Sequence, residues 1–349
     1  MPHSFDAAHT AQTAHTAQLA CELLRIHELL LRDAPRNRPF HRALAAHVTP
    51  DSAVLDIGSG SGLWAITAAL LGARKVVAIE MMPMLVGLIK ALARDHGVAD
   101  RVEVIQGDSR QIPLAREFDI VVSETIGHVI FDEQIVEIMA DARARFLKPG
   151  GVLIPDTATL KVAGAHLRQP ARLPAGIPGK FGRFSSLLLH GPLALTDKKP
   201  LKLLTPPATL VHADLMRLTA DPPLGDLTAH WPQQDTARIN CFAVWAEMTL
   251  TNGIAMSTLD TPSWSVTAYR VKPFAQKHGD LTFRLALTAH TNHWSATLAS
   301  AAQHETQKFS PDIAAAELLA LNAADPDVFE KMKRLGLAGL SSPAPFPHP

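Results

Sequence analysis

The sequence predicts an α/β domain built on a parallel sheet, followed by a mainly antiparallel β domain. Short runs rich in Val and Ile alternate with helical patterns over residues 19–155, which is typical of a parallel sheet covered by helices on both faces. A Lys-Pro-Gly-Gly turn at residues 148–151 then marks a change in composition, because 20 of the 26 prolines lie at Pro149 or later. Beyond that turn, helical periodicity largely stops and strand-like segments follow one another.

In the first domain, an apolar stripe predicts a helix from Leu19 to Arg32. The segment "APRNRP" should break it, and a second helix is expected from about Phe40 to His47. Strands are then predicted at "SAVLDIG", "KVVAIE", "RVEVIQGD", "FDIVVSE" and "GVLIP", and helices at "GLWAITAALLG", "MLVGLIKALARDHG" and "DEQIVEIMADARARFL".

In the second domain, the expected strands are "RINCFAVWAEMTL", "SWSVTAYRV", "DLTFRLALTAH" and "NHWSATLAS". A semi-helical segment, "KFGRFSSLLLHGPLALTDKKPLKLL", interrupts them. The predicted organisation is a flexible lead-in at 1–18, a first domain at 19–155, a β domain at 156–300 with an arm at about 180–205, and a helical extension with a proline-rich end at 301–349.

Composition excludes several classes of function. Lys plus Arg equal Asp plus Glu at 33 each, so no overall field directs the chain to nucleic acid or to a membrane surface. The two cysteines form no metal-type pair, which argues against a zinc site or a disulfide scaffold and favours a reducing compartment. The absence of a signal-peptide pattern and of a long apolar run predicts a cytoplasmic location.

The stretch "VLDIGSGSG" occupies the first strand-to-helix turn, where open α/β sheets bind nucleotides. Gly58, Gly60 and Gly62 allow a tight turn and close approach of a ligand to the backbone. Leu63 stands where a dinucleotide site would have its third glycine. Asp56 precedes the turn and would repel a pyrophosphate, so it suits a cationic group.

Two further acids follow the next two strands. Glu80 ends the second strand and is placed to accept both hydroxyls of a ribose, and Asp108 is placed to accept from the exocyclic amine of adenine. An amino group, a ribose and an adenine without phosphate resemble the S-adenosylmethionine bound by class I methyltransferases. The alternatives are a nicotinamide dehydrogenase, or acids that only cap the turn and the next helix.

The stretch "SETIGHVIFDEQ" follows the fourth strand and contains two carboxylates nine residues apart. Ser123, Glu124, Gly127 and Glu133 fall on the positions of the "double-E loop" of protein arginine methyltransferases, which this region resembles. A guanidinium is planar and permanently charged, and it can donate pairs of N–H groups to two carboxylates. The resemblance implies that Glu124 and Glu133 clamp the acceptor; Glu133 alone could also be an ordinary solvated acid.

The resemblance extends to other segments. "IHELLLRDAPR" is similar to the family's N-terminal helix, which implies that Arg36 binds the methionine carboxylate and that His27 lines the cofactor cover; by itself, Arg36 would be a charge at a helix end. "GVLIPDTATL" matches the family's passage into its β-barrel, and the semi-helical segment takes the place of its dimerisation arm. The implied fold is a Rossmann-like methyltransferase domain, a β-barrel domain with an inserted arm, and a homodimer.

The sequence also departs from that family. Its Thr-His-Trp loop maps onto Pro262, Ser263 and Trp264, so Asp33 would lack its histidine partner. Trp264 is expected to form part of the acceptor wall and His128 to be a pocket residue or a solvent-facing loop histidine. His293, in a later "NHW", is expected to be an ordinary strand residue.

These residues predict a methyltransferase that uses S-adenosylmethionine and acts on a guanidino nitrogen in a protein, a peptide or a small metabolite. A non-guanidino small-molecule acceptor and a scaffold that has lost activity are the alternatives. No metal, membrane or nucleic acid is expected.

Overall fold

The computed structural model of the chain describes residues 3–127, 129–130, 133–168, 186–218, 225–287 and 292–316. A five-stranded parallel sheet forms the first half, in the order β3-β2-β1-β4-β5. Its strands are β1 (Ala53–Ile57), β2 (Lys75–Glu80), β3 (Val102–Gln106), β4 (Phe118–Ser123) and β5 (Leu147–Ile154). All five predicted strands are present, because runs of Val and Ile suit a sheet that is covered on both faces.

Five helices accompany this sheet within the described residues: α1 (His3–Arg32), α2 (Ala34–His47), α3 (Leu63–Leu70), α4 (Pro83–Asp95) and α5 (Ile135–Arg145). The first of these is continuous across residue 18, where the flexible lead-in was predicted to end. The expected break at "APRNRP" is a single residue, Asp33, so α2 begins six residues before the predicted start. The Asp33 carboxylate accepts from the Arg36 backbone N–H and caps α2. Pro35 is tolerated because the first turn of a helix has no partners for its N–H groups.

The rest of the chain forms two antiparallel sheets. A seven-stranded sheet has the order β7-β13-β11-β6-β8, with β12 paired to β11 and β9 paired to β6, and a four-stranded sheet has the order β10-β14-β15-β16. The strands are β6 (Thr157–Leu167), β7 (Leu193–Leu195), β8 (Leu201–Leu203), β9 (Ala208–Asp214), β10 (Gly225–Asp235), β11 (Cys241–Thr251), β12 (Ile254–Ser257), β13 (Val266–Arg270), β14 (His278–Leu287), β15 (Asn292–Ala299) and β16 (His304–Phe309).

Two predictions for this half need correction. Residues 304–309 were assigned to the helical extension but form β16, which pairs with β15 and buries Phe309. The arm segment was expected to be semi-helical, yet its described part contains β7 and β8 after a single helical turn at 186–188. In both cases pairing with a neighbouring strand outweighs the weak local preference. Residues 169–185 of the arm and 317–349 of the extension lie outside the described residues.

Aromatic side chains join the two antiparallel sheets. Phe242 of β11 and Phe283 of β14 stack with ring centroids 4.5 Å apart, and Trp231 of β10 lies 6.0 Å from Phe242. All three are buried in one continuous core that also includes the parallel sheet. This shared core holds the loops at the ends of both halves in fixed positions.

Within the described part of the chain, none of the helices combines the length and the apolar character needed to cross a bilayer.

Candidate cofactor and acceptor site

The strand register brings the predicted acids to one edge of the parallel sheet. Asp56 of β1 is paired with Ala78 of β2 on one side and with Val122 of β4 on the other. Glu80 and Glu124 therefore lie at the carboxyl ends of the two strands that flank the glycine turn. This edge, next to the central strand where the connections change direction, is where open α/β sheets bind ligands.

The glycines between β1 and α3 are required by their conformation. Gly58, Gly60 and Gly62 have φ values of +69°, +56° and +79°, a region that L side chains rarely adopt. A Cβ on Gly60 would lie 2.6 Å from Cε1 of His27, and one on Gly58 would lie 2.6 Å from the methyl group of Thr125. The turn thus brings its backbone against α1 and against the loop that begins at Glu124.

Asp56 is completely buried beneath this turn. Its Oδ2 accepts from the Ala65 N–H at 3.0 Å, in the first turn of α3. Its Oδ1 is buried and has no hydrogen-bond partner. Burial raises the pKa of Asp56 to about 7, and the nearby Glu80 adds to the increase.

Glu80 accepts backbone N–H groups with both carboxylate oxygens, from Gly60 at 2.7 Å and from Met82 at 2.8 Å. Together with the Asp56–Ala65 bond, these contacts are the capping role that was considered as an alternative. They fix the carboxylate without exhausting it, since each oxygen can accept more than one hydrogen bond.

Asp108 is held by a residue that the sequence analysis missed. Arg110 donates to both oxygens of Asp108, with Nη2 2.7 Å from Oδ2, and lowers the pKa of that carboxyl. Arg110 also donates through Nη1 to Gln134, which directly follows Glu133. Most of the accepting capacity of Asp108 is used in this ion pair, so its predicted contact with adenine has the least support of the cofactor assignments.

Glu124 is paired with Arg36. The Nη2 group of Arg36 donates to Oε2 of Glu124, and the two side chains are only 4% and 12% exposed. Arg36 Nη1 donates to Oδ1 of Asn37 at 2.7 Å. Burial lowers the pKa of Arg36 to about 10, so the guanidinium remains charged at neutral pH. The acid that was predicted to clamp the acceptor is therefore paired with an internal guanidinium.

Two indole rings enclose that guanidinium. The Arg36 Cζ atom lies 5.7 Å from the ring centre of Trp64 and 5.6 Å from that of Trp264, which is within the range of cation–π attraction. Trp264 was predicted as part of the acceptor wall, whereas Trp64 was missed. The sequence signal for Trp64 was its position in the first turn of α3, directly after the glycine motif. That turn borders the cradle, by which we mean the glycine turn at 58–62 with Asp56 and Glu80.

Among the residues that the structure describes, Asp33 lacks a histidine partner, as the sequence predicts, and is bonded instead to Ser263. Its Oδ2 accepts from the Ser263 hydroxyl at 2.5 Å and from the Ser263 N–H at 3.0 Å. Asp33 is buried and also caps α2. A neutral serine thus makes the contact for which a histidine was expected, and it fastens the loop containing Trp264 to the start of the helix containing Arg36.

The second acid of the loop, Glu133, is exposed immediately before α5. His128 lies outside the described residues. His27 is half-buried, its ring faces Gly60, and burial lowers its pKa, with the charge of Arg36 adding to the effect. His293 lies in β15, 3.4 Å from Asp312, which agrees with its expected role as an ordinary strand residue.

The site contains two unpartnered buried polar atoms of opposite character. Arg36 Nε is a donor without an acceptor, and Asp56 Oδ1 is an acceptor without a donor. A free α-amino acid end has the matching pair, a carboxylate and an ammonium. The residues present thus fit the methionine end of S-adenosylmethionine. No group of three or more His, Cys, Asp or Glu suited to a metal ion occurs in the part of the chain that is described.

Comparisons with known proteins agree with this geometry. A family profile described as a methyltransferase domain matches residues 54–151. An arginine N(omega)-methyltransferase of Streptomyces achromogenes is 31% identical over 244 residues, 67% of this chain and 66% of the relative. The protein arginine N-methyltransferase PRMT10 of Oryza sativa subsp. japonica is 40% identical over 38% of this chain and 36% of its own length.

A solved structure, the Trypanosoma brucei PRMT1 enzyme-prozyme heterotetrameric complex with AdoHcy, aligns with a TM-score of 0.68 at 24% identity. The alignment covers 81% of this chain and 97% of that one, and it confirms the predicted fold. Of the curated relatives, this chain spans just under two thirds of the Streptomyces protein and about a third of the rice protein. The comparisons thus show a methyltransferase domain, similarity to arginine N-methyltransferases, and the fold of the PRMT1 structure.

Proposed function

We propose that this protein is an S-adenosylmethionine-dependent N-methyltransferase whose acceptor is a guanidino nitrogen of arginine. One observation carries the proposal: the Glu124 carboxylate, next to the glycine cradle, already binds a guanidinium between two indole rings. That environment suits a planar cation of this kind. Arg36 bonds to one oxygen of that carboxylate, Oε2, in this structure, and in the proposal the acceptor shares the carboxylate with it.

The cradle residues hold the cofactor in this proposal. Arg36 binds the methionine carboxylate through its free Nε, Asp56 binds the ammonium through its free Oδ1, and Glu80 accepts the ribose hydroxyls. His27 covers the turn from α1. The bound cofactor supplies a methyl group activated by a sulfonium.

Glu124 and Glu133 act on the acceptor. Two carboxylates that each accept N–H groups orient the guanidinium plane and draw positive charge away from the nitrogen that points at the methyl group. Fixed charges in a site that excludes water favour the reaction more than the same charges in solution would. Glu124 is buried enough to act in this way. The same role is proposed for Glu133 from its place in the double-E loop.

Two features bear on whether the acceptor is free arginine or arginine within a protein. The overall charge is balanced at 33 acids and 33 Lys plus Arg, which gives no general preference for very basic protein tails. The Streptomyces relative, which matches over 244 residues, is named for arginine itself rather than for protein arginine. Free arginine and arginine-containing peptides are therefore both acceptors to be tested.

The experiment compares wild type with Glu124→Gln on a panel of free arginine, arginine peptides and lysine peptides, with products identified by mass spectrometry. We expect a gain of about 14 mass units, which is one methyl group in place of one hydrogen, and we expect it on arginine-containing acceptors only. The Gln variant should lose at least ~100-fold in turnover, yet still bind S-adenosylhomocysteine in calorimetry.

Glu103→Gln is the matched control, since Glu103 is an exposed acid on β3 of the same sheet. It should retain wild-type turnover. Melting curves of both variants show whether the loss of the charge opposite Arg36 also affects folding. Equal turnover of wild type and Glu124→Gln, or methyl transfer to non-guanidino acceptors alone, would contradict the proposal.

A further inference from the structure

Lys198 lies in the short connection at 196–200 between β7 and β8. These two strands are at opposite ends of the strand order of the seven-stranded sheet, where β7 pairs with β13 and β8 pairs with β6. The connection thus links the two edges of that sheet. It belongs to the arm segment, which no part of the proposed chemistry uses.

The Lys198 ammonium bonds to the backbone of the loop that precedes β13. Its Nζ donates to the carbonyl oxygens of Thr261 and Trp264. Within the described residues Lys198 makes no ion pair with a carboxylate at 4.0 Å or less. Its pKa is lowered by burial, although the charges of Asp33, Asp197 and Asp260 oppose the change. A half-buried ammonium that binds two carbonyls three residues apart holds that loop in one conformation.

The same loop is also fastened by Asp33, through the N–H and hydroxyl of Ser263. Thr261 is itself buried, and its hydroxyl donates to the Thr258 carbonyl. Trp264, between these fixed points, is half-buried and lies over Arg36. The position of its ring relative to the Glu124 site is therefore set by Asp33, which caps α2, and by Lys198 of the arm.

We propose that Lys198 is a positioning residue for the acceptor: it fixes the 260–265 loop so that Trp264 is held against the guanidinium at Glu124. The inference rests on the proposed function for its catalytic meaning. It adds that the arm segment, through this single side chain, sets the affinity of the acceptor pocket. Lys198 bonds to this loop and not to the glycine turn, so it should affect the acceptor more than the cofactor.

The chain provides a reporter that does not depend on activity. It has five tryptophans, and Trp64, Trp231, Trp245 and Trp294 are at most 5% exposed. Trp264 is the half-buried one. Quenching of tryptophan fluorescence by acrylamide therefore reports mainly on Trp264, and Trp264→Phe should remove the quenchable component.

The test uses Lys198→Met, which keeps much of the aliphatic stem and removes the donors, and Lys198→Arg, which restores donors. Lys199→Met is the matched control, since Lys199 is the exposed neighbour in the same connection. We expect Lys198→Met to increase the quenching constant at least twofold and the KM for the acceptor at least tenfold. The Kd for S-adenosylhomocysteine should change less than the acceptor KM, since Trp264 reaches the cofactor site through Arg36, and Lys198→Arg should recover part of the effects on quenching and KM.

Unchanged quenching in Lys198→Met would overturn the inference, whatever the enzyme methylates. Increased quenching with an unchanged acceptor KM would overturn its catalytic part. If the wild-type protein methylates no guanidino group, the proposed function fails. The quenching comparison then still decides whether Lys198 holds the loop.

Discussion

The unpartnered Oδ1 of Asp56 leads to a prediction about cofactor binding. Burial raises the pKa of this carboxyl to about 7 from its usual 3.8, so the unliganded protein holds a proton there over much of the acidic range. An ammonium needs the carboxylate form as its partner. Binding of the cofactor should therefore release this proton and become weaker as pH falls.

The size of the effect follows from that pKa. At pH 6 the carboxyl is about 90% protonated, and at pH 5.5 the apparent Kd should be about 30-fold above its plateau value. The slope approaches tenfold for each pH unit well below 7. The α-amino group of the ligand stays cationic below about 7.7, so proton release between about pH 5.5 and 7 comes from the protein. The Asp56→Asn variant separates the contribution of Asp56 from that of His27, which faces the same turn.

The assay is calorimetry with S-adenosylhomocysteine in two buffers of different ionisation enthalpy. The difference in apparent enthalpy gives the number of protons released, which should be about 0.9 at pH 6. Asp56→Asn should bind more weakly at pH 7.5 and show no release from this site. A wild-type Kd that is flat between pH 5.5 and 7, or an equal slope in the Asn variant, would refute the ammonium assignment.

The same group affects stability. Because its folded pKa is raised, the folded state retains a proton that the unfolded chain loses above about 3.8, so the free energy of unfolding decreases as pH rises from about 4 to 7. At about 1.4 kcal/mol per pKa unit, the loss approaches about 4 kcal/mol in the unliganded protein. Chemical denaturation across this window should show a smaller loss in Asp56→Asn.

Three other predictions follow from the geometry. Gly60→Ala places a Cβ 2.6 Å from the His27 ring at a φ of +56°, so it should lower the free energy of unfolding by about 1–3 kcal/mol and weaken cofactor binding. The control is Gly253→Ala, which is also at positive φ but in open space. Equal losses of stability in the two variants would show that the His27 contact has no role. Glu80→Ala should raise the Kd for S-adenosylhomocysteine at least ~10-fold by removing a charged hydrogen-bond acceptor. A ligand lacking ribose hydroxyls should lose less affinity, because it reports only the loss of the Glu80 bonds to the Gly60 and Met82 N–H groups; equal losses for the two ligands would exclude the ribose assignment. The arm resemblance predicts a homodimer, so light scattering should give about twice the chain mass of 37.6 kDa, and a monomeric mass would discard that inference.

Much of the fold was predictable because local pattern and tertiary environment agree. Runs such as "VVAI" form strands only when both faces are covered, and the helices between them provide that cover. The glycine turn was recognisable because its positive φ values exclude other residues. The acids at three successive strand ends were predicted to meet, because parallel strands end at the same edge.

The errors occur where a distant partner decides the local structure. The start of α2 depends on the Asp33 cap, and β16 depends on pairing with β15 rather than on its own composition. A helix cap and a strand pairing stabilise a short isolated segment only weakly, so the local sequence gives little sign of either.

The sequence by itself determined the kinds of groups at this site: glycines for the turn, carboxylates at the strand ends, and two acids spaced to grip a flat cation. Only the tertiary structure decided how those groups are paired. Arg36 and Glu124 are 88 residues apart, Asp33 and Ser263 are 230 apart, and Lys198 and Trp264 are 66 apart. Charge and hydrogen-bonding capacity are properties of a residue type, so they can be read from the sequence. Which two residues form a hydrogen bond or an ion pair depends on their distance in space, and the shared core sets that distance.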